Sequence, residues 1–193
     1  MSQPTVLRTI VGMPAYNESK YIGSLILQAR QYADEVIVVD DGSSDRTATI
    51  AELAGVTVVR HGENRGYGAA IQSILSEARK RQPDVLVIMD ADAQHDPGEI
   101  PSLVRAVKEG SDLVVGSRQI GRENIPAYRK IGQKVLTGLT GVLSKEKLSD
   151  TECGFRAYSR KAIAILNPKE KGMAISAEII SEAFAHGLKV TEI

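Results

Sequence analysis

The chain is 193 residues long, enough for one domain of roughly 100–200 residues with a hydrophobic core. Hydrophobic residues make up 42% and charged residues 25%, and 24 basic side chains balance 24 acidic ones, so no bulk basic field argues for a nucleic-acid partner. The lone cysteine, Cys153, excludes an internal disulfide, residues 1–9 lack the apolar run of a signal peptide, and no stretch approaches the ~18 apolar residues of a membrane span, so a cytoplasmic location is expected.

Strand candidates fall at 9–13, 35–39, 56–60, 85–89 and 112–116, most of them rich in Val and Ile and apolar on both faces. That pattern predicts a parallel sheet covered on both sides. Between them, residues 18–32, 46–54, 66–81 and 97–109 carry helical periodicity. In 66–81, Ala70, Ile71, Ile74, Leu75 and Ala78 form one apolar stripe. Asp96 followed by Pro97 is the order of an N-cap and a first helical proline. The alternation of strand and helix predicts a doubly wound α/β fold.

Residues 126–148 place Ile131, Val135, Leu136, Leu139, Val142 and Leu143 at helical spacing, with Arg129, Lys130 and Lys134 at their edges. Such a helix packs on the sheet or lies on a membrane interface. Residues 150–159 carry the aromatics Phe155 and Tyr158, 176–186 is a further helix candidate, and 188–193 reads as a strand. The chain stops inside that last pattern, so either a shortened C-terminal end or a last element that closes at the terminus is expected. With no internal repeat or linker, residues 1–193 are read as one domain.

In open α/β sheets ligands sit beyond the carboxyl ends of the strands. Every such end here is polar: Pro14-Ala15-Tyr16-Asn17-Glu18, Asp40-Asp41-Gly42-Ser43-Ser44-Asp45, His61-Gly62-Glu63-Asn64-Arg65-Gly66, Asp90-Ala91-Asp92-Ala93-Gln94-His95 and Ser117-Arg118. Asp90 and Asp92 are the sharpest feature. Two carboxylates one residue apart repel each other until a hard cation relieves them, and such a cation bridges to phosphate oxygens. The competing reading is a helix cap beside a solvated aspartate. In the 40–45 string, Ser44 or Asp45 starts the next helix, which leaves Asp40 and Asp41 for a base N–H or ribose hydroxyls. Gly66 and Gly68 beside a helix N-terminus let an anion approach the backbone. His61 and His95 read as exposed loop residues.

The first rim has no G-x-G-x-x-G, which argues against hydride transfer, and no G-x-x-x-x-G-K-[ST] P-loop occurs. An aspartyl-nucleophile phosphatase needs a Thr or Val where Ala93-Gln94 stands, and a sugar-nucleotide pyrophosphorylase needs a basic Gly-rich loop near the start.

Taken together, Met13-Pro14-Ala15-Tyr16-Asn17-Glu18, Val39-Asp40-Asp41-Gly42-Ser43-Ser44-Asp45, Asp90-Ala91-Asp92-Ala93-Gln94-His95-Asp96-Pro97, Gly116-Ser117-Arg118 and Asp150-Thr151-Glu152-Cys153-Gly154-Phe155-Arg156 resemble glycosyltransferase family 2. Within it, the chain is similar to the dolichol- and polyprenyl-phosphate sugar synthases. The resemblance implies the GT-A fold, a Rossmann-like, mostly parallel sheet with helices on both faces. It implies an inverting enzyme that moves a sugar from a nucleotide-diphosphate sugar to a lipid phosphate, with peripheral membrane contact. Pro14, Ala15, Tyr16, Glu18 and Asp41 would line the nucleoside pocket, with Gly66 near the donor phosphates. Asp90, Asp92 and Gln94 would hold Mg2+ or Mn2+, and Arg118 and Arg129 would meet the acceptor phosphate. Two alternatives stay open: transfer to a saccharide hydroxyl with Asp150 as base, and a silent nucleotide-sugar binder. One departure is Tyr67, where many members of the family carry lysine.

Overall fold

The computed structural model describes residues 7–116 and 153–193. The first half alternates as expected: β1 (Thr9–Ala15), α1 (Ile22–Ala29), β2 (Glu35–Asp40), α2 (Thr47–Leu53), β3 (Thr57–Arg60), α3 (Tyr67–Arg81) and β4 (Val85–Ile88). A 3-10 turn (Pro97–Glu99) leads into α4 (Ile100–Lys108), followed by β5 (Leu113–Val115). After the gap come β6 (Arg156–Ser159), α5 (Arg160–Ile165), α6 (Ile175–Ala185) and β7 (Val190–Glu192). The helix expected at 126–148 lies outside the described residues.

The described strands form one sheet in the order β3-β2-β1-β4-β6-β5-β7. Strands β3, β2, β1 and β4 are parallel, and β5 and β7 are parallel to each other. Strand β6 is antiparallel to both β4 and β5, so the sheet is mixed although mostly parallel. No sequence pattern predicts a strand at residues 156–159. Their string Arg-Ala-Tyr-Ser has no Val or Ile, and pairing on both sides supplies what propensity does not.

Both faces are covered: α1 packs on α2 and on the turn before α4, while α3 packs on α5. Every residue of β1 and of β4 is buried, as the continuous apolar runs require. The stripe on α3 is buried as expected, with Ile74 and Leu75 fully enclosed. Gly12 on β1 faces Ile74, and a Cβ there would collide with its Cγ2. The absence of a side chain lets α3 settle directly onto the central strand.

Two helix starts differ from expectation. Helix α1 begins at Ile22, not near Glu18, and the Glu18 and Ser19 amides donate to Thr47 Oγ1 and Asp45 Oδ2 across the rim. Asp96 does act as a cap, accepting from the Gly98 amide, but what it opens is the 3-10 turn. Among the described residues no helix is long and apolar enough to cross a membrane.

Candidate functional site

The chain runs β1-β2-β3 in one direction across the sheet and then returns to place β4 on the other side of β1. The carboxyl ends of β1 and β4 therefore flank a topological switch point, where open α/β sheets bind ligands. Pairing between β1 and β4 ends at Gly12 and Ile88, whereas β1 stays paired with β2 through Ala15 and Asp40. Pro14, which has no N–H to donate, lies beyond the last β1–β4 pair. The strands part there, and the rim loops open around the gap.

The loop after β1 is stitched to the loop after β2. Asn17, in a left-handed conformation (φ 57°), donates its amide to Ser43 Oγ at 2.9 Å and accepts from the Ser44 amide at 2.9 Å. Glu18 N–H meets Thr47 Oγ1 at 2.8 Å, and Asp45 Oδ1 accepts from the Thr47 amide at 2.8 Å. Tyr16 projects at the end of β1, 49% exposed, while Pro14 and Ala15 are buried.

The adjacent aspartates that end β2 have different partners. Asp41 Oδ1 lies 2.5 Å from His61 Nδ1 and 3.0 Å from the Arg65 amide, and Oδ2 accepts from the Gly66 amide at 2.9 Å. His61 Nε2 in turn sits 2.9 Å from Ser73 Oγ on α3. Asp41 is thus an internal strut joining β2, the loop after β3 and α3. Asp40 is equally buried, yet its Oδ1 has no hydrogen-bond partner. A buried carboxylate oxygen without a donor is costly in a finished core, and this sets Asp40 apart from Asp41. Asp41, expected in the nucleoside pocket, makes these internal contacts, and Asp40 is the one of the pair with an oxygen that lacks a partner. His61, read as exposed, is buried and holds the strut.

The N-terminus of α3 is closed by the protein itself. The Gly66 amide goes to Asp41, and the Gly68 amide donates to the Lys171 carbonyl at 2.8 Å. A Cβ on Gly66 would stand 2.6 Å from the Lys171 oxygen, and one on Gly68 would strike the Glu170 carbonyl. The close approach these glycines permit is taken by residues 170–171, and no ligand is needed to explain it.

Tyr67, between them, reaches across the switch point and donates its hydroxyl to Asp90 Oδ1 at 3.0 Å. Burial and the Asp90 carboxylate push the Tyr67 phenol above the ordinary tyrosine range, so it stays a donor. His95 Nε2 stands 4.0 Å from Asp90 Oδ2, and its ring packs on Phe155 at 5.2 Å. Gly154 closes the far side: a Cβ there would overlap Asp90 Oδ2. His95, set aside from sequence, is buried beside the site. Burial raises the Asp90 pKa and Asp92 adds to it, against the Tyr67 hydrogen bond and the charges of His95 and Arg156. Burial raises Glu18 likewise, followed by repulsion from Asp92 and Asp45. Glu18, Asp45, Asp90 and Asp92 thus share one acidic field spanning both sides of β1.

Among the described residues no three His, Cys, Asp or Glu side chains form a ready metal cage. A small hard cation that also binds phosphate uses only one or two protein carboxylates. Asp90 and Asp92 fit that role, because burial raises Asp90, the Asp92 charge adds to it, and a cation would offset both. Asp92 Oδ1 accepts from the Gln94 amide at 2.9 Å around Ala93 (φ 62°), which shapes the turn, and Gln94 is exposed there. Arg118, Arg129 and Asp150 lie outside the described residues.

Comparison with known proteins identifies the family. A family profile described as "Glycosyl transferase family 2" matches residues 10–166. A UDP-N-acetylglucosamine–dolichyl-phosphate N-acetylglucosaminyltransferase of Methanococcus voltae is 33% identical over 194 residues, covering 89% of this chain and 76% of its own. A dolichol-phosphate mannosyltransferase of Pyrococcus furiosus is 35% identical over 189 residues, covering 90% of this chain and 52% of that one. The crystal structure of glucosyl-3-phosphoglycerate synthase from Mycobacterium tuberculosis with Mn2+, UDP-glucose and phosphoglyceric acid superposes with a TM-score of 0.77 at 25% identity, over 96% of this chain and 69% of the other.

Proposed function

Because the chain belongs to glycosyl transferase family 2 and has the GT-A fold of a glycosyltransferase, we propose that it moves a sugar from a nucleotide-diphosphate sugar to a dolichol or polyprenyl phosphate, with inversion at the anomeric carbon. The observation that carries the reading is the pair of stations on either side of the β1 end. On one side stands the orphan oxygen of Asp40, on the other Asp90 and Asp92.

In this reading the Asp40 carboxylate accepts an N–H of the base, and the exposed ring of Tyr16 offers it a stacking face. Pro14 and Ala15 form the floor, and Glu18 lies between the stations. Asp90 and Asp92 hold Mg2+ or Mn2+, with Gln94 on the same turn. When bound, that cation supplies Lewis-acid neutralisation of the departing nucleoside diphosphate. The bond from the anomeric carbon to the diphosphate oxygen breaks as a bond to the acceptor phosphate oxygen forms on the opposite face. A phosphate monoester is already an anion near neutral pH, so no general base is required. Arg118 and Arg129 are proposed to receive it, since a guanidinium meets phosphate in a two-pronged fork. A lipid acceptor would bring residues 1–193, as one catalytic unit, to the cytoplasmic face of a membrane.

The test is calorimetric titration of UDP, GDP and their sugars with and without Mn2+, followed by a transfer assay on undecaprenyl phosphate. Manganese-enhanced binding of one nucleotide and transfer to the lipid are expected. Binding of neither nucleotide would overturn the donor assignment, and transfer only to a sugar hydroxyl would overturn the acceptor.

A further inference from the structure

We propose that Tyr67 is a positioning residue that sets the Asp90 carboxylate for the cation, its hydroxyl holding Oδ1 so that the side chain keeps one orientation. The inference rests on the metal-dependent reading above.

A hydroxyl can set another group only if it is itself fixed. The backbone that presents Tyr67 is tied on both flanks, through the Gly66 amide to Asp41 and the Gly68 amide to the Lys171 carbonyl. Asp41 is in turn held by His61, whose other nitrogen meets Ser73 further along the same helix. Residues 169–170 are secured by α6, where Glu178 accepts from the Lys169 and Glu170 amides at 2.9 Å. The phenol is therefore delivered by a helix terminus with little freedom.

Asp90 is confined from three sides. Tyr67 holds Oδ1 at 3.0 Å, and His95 stands 4.0 Å from Oδ2. Gly154 leaves no room for a methyl group against the same Oδ2. A purely structural tyrosine would be satisfied by any carbonyl. This one spends its only proton on the carboxylate of the acidic pair, and it comes from a different element. A partner that orients a metal ligand raises affinity by fixing its rotamer before the metal arrives, an effect of ~10–100-fold.

The test compares wild type with Tyr67→Phe, which keeps the ring and removes only the hydroxyl. Free Mn2+ is followed by electron paramagnetic resonance during titration in the presence of the nucleotide, UDP or GDP, that the wild type binds. A loss of ~10–100-fold in Mn2+ affinity is expected. Metal-free nucleotide affinity and the melting temperature without metal should stay near wild type, and excess Mn2+ should restore the ternary complex. Wild-type Mn2+ affinity in Tyr67→Phe overturns the inference while leaving the metal reading intact. A loss that excess Mn2+ does not recover also overturns it. A wild type that takes up no Mn2+ with either nucleotide overturns the metal reading and this inference with it.

Discussion

Asp40 and Asp41 are neighbours of the same residue type with opposite consequences for substitution. Asp41 is surrounded by the His61 ring and two backbone amides, so Asp41→Ala removes an acceptor from the buried His61 and from two part-buried amides, of which Gly66 keeps Asn64 Oδ1. We expect a loss of ~3 kcal/mol in urea unfolding, on the scale of breaking a buried hydrogen-bonded charge. Asp40 has an oxygen with nothing to lose. Asp40→Ala should leave the unfolding midpoint near or above wild type while weakening nucleotide binding at least tenfold by calorimetry, the scale of ~1.4 kcal/mol for one charged hydrogen bond. The identities of both aspartates are plain in the sequence. Which one is the strut depends on His61 and Arg65 arriving from 20 and more residues away, and no local pattern encodes that. His61 and His95 were passed over for the same reason: a histidine in a polar string looks solvated until the fold encloses it.

At the scale of elements, the stitched loops after β1 and β2 make a prediction about pH. Burial alone would raise the Asp45 pKa, but hydrogen bonds from the Thr47 hydroxyl and amide and the Ser19 amide outweigh it and pull it to about 2. A carboxyl whose folded pKa is depressed adds stability above its unfolded pKa and loses it as pH falls through the folded one. The contribution of Asp45 should therefore be present at neutral pH and fade between about pH 4 and pH 2. Asp45→Asn should lower the melting temperature by a few degrees at pH 7, about 1 kcal/mol at most for so exposed a group, and the difference should vanish near pH 2. Packing between β1 and α3 gives a second test. Gly12→Ala should cost ~1–3 kcal/mol by overpacking against Ile74, and Gly12→Ala with Ile74→Ala should cost less than the sum of the two. Helix α3 was legible because its apolar stripe is long and periodic, and β6 was not, because four residues without Val or Ile carry no pattern.

Across the whole molecule, folding brings the ends of β1, β2 and β4 to one rim, so ligand and stability are linked. A ligand that binds only the folded state adds about 2.7 kcal/mol at a hundred times its dissociation constant. Mn2+ with the correct nucleotide should raise the melting temperature by several degrees in a thermal scan, and Mn2+ with Asp92→Ala should raise it by less. The alternation of apolar runs with amphipathic segments determined the α/β class, because burial on both faces demands strands without polar residues and helices with one apolar stripe. The short polar strings marked the candidate site, because a parallel sheet gathers its strand ends at one edge. Only the tertiary structure decided that β6 runs antiparallel between β4 and β5, that Asp41 is hydrogen-bonded internally while Asp40 Oδ1 has no partner, and that Tyr67 meets Asp90. Each of these is a contact between residues far apart in sequence, and its geometry is set by how the elements pack.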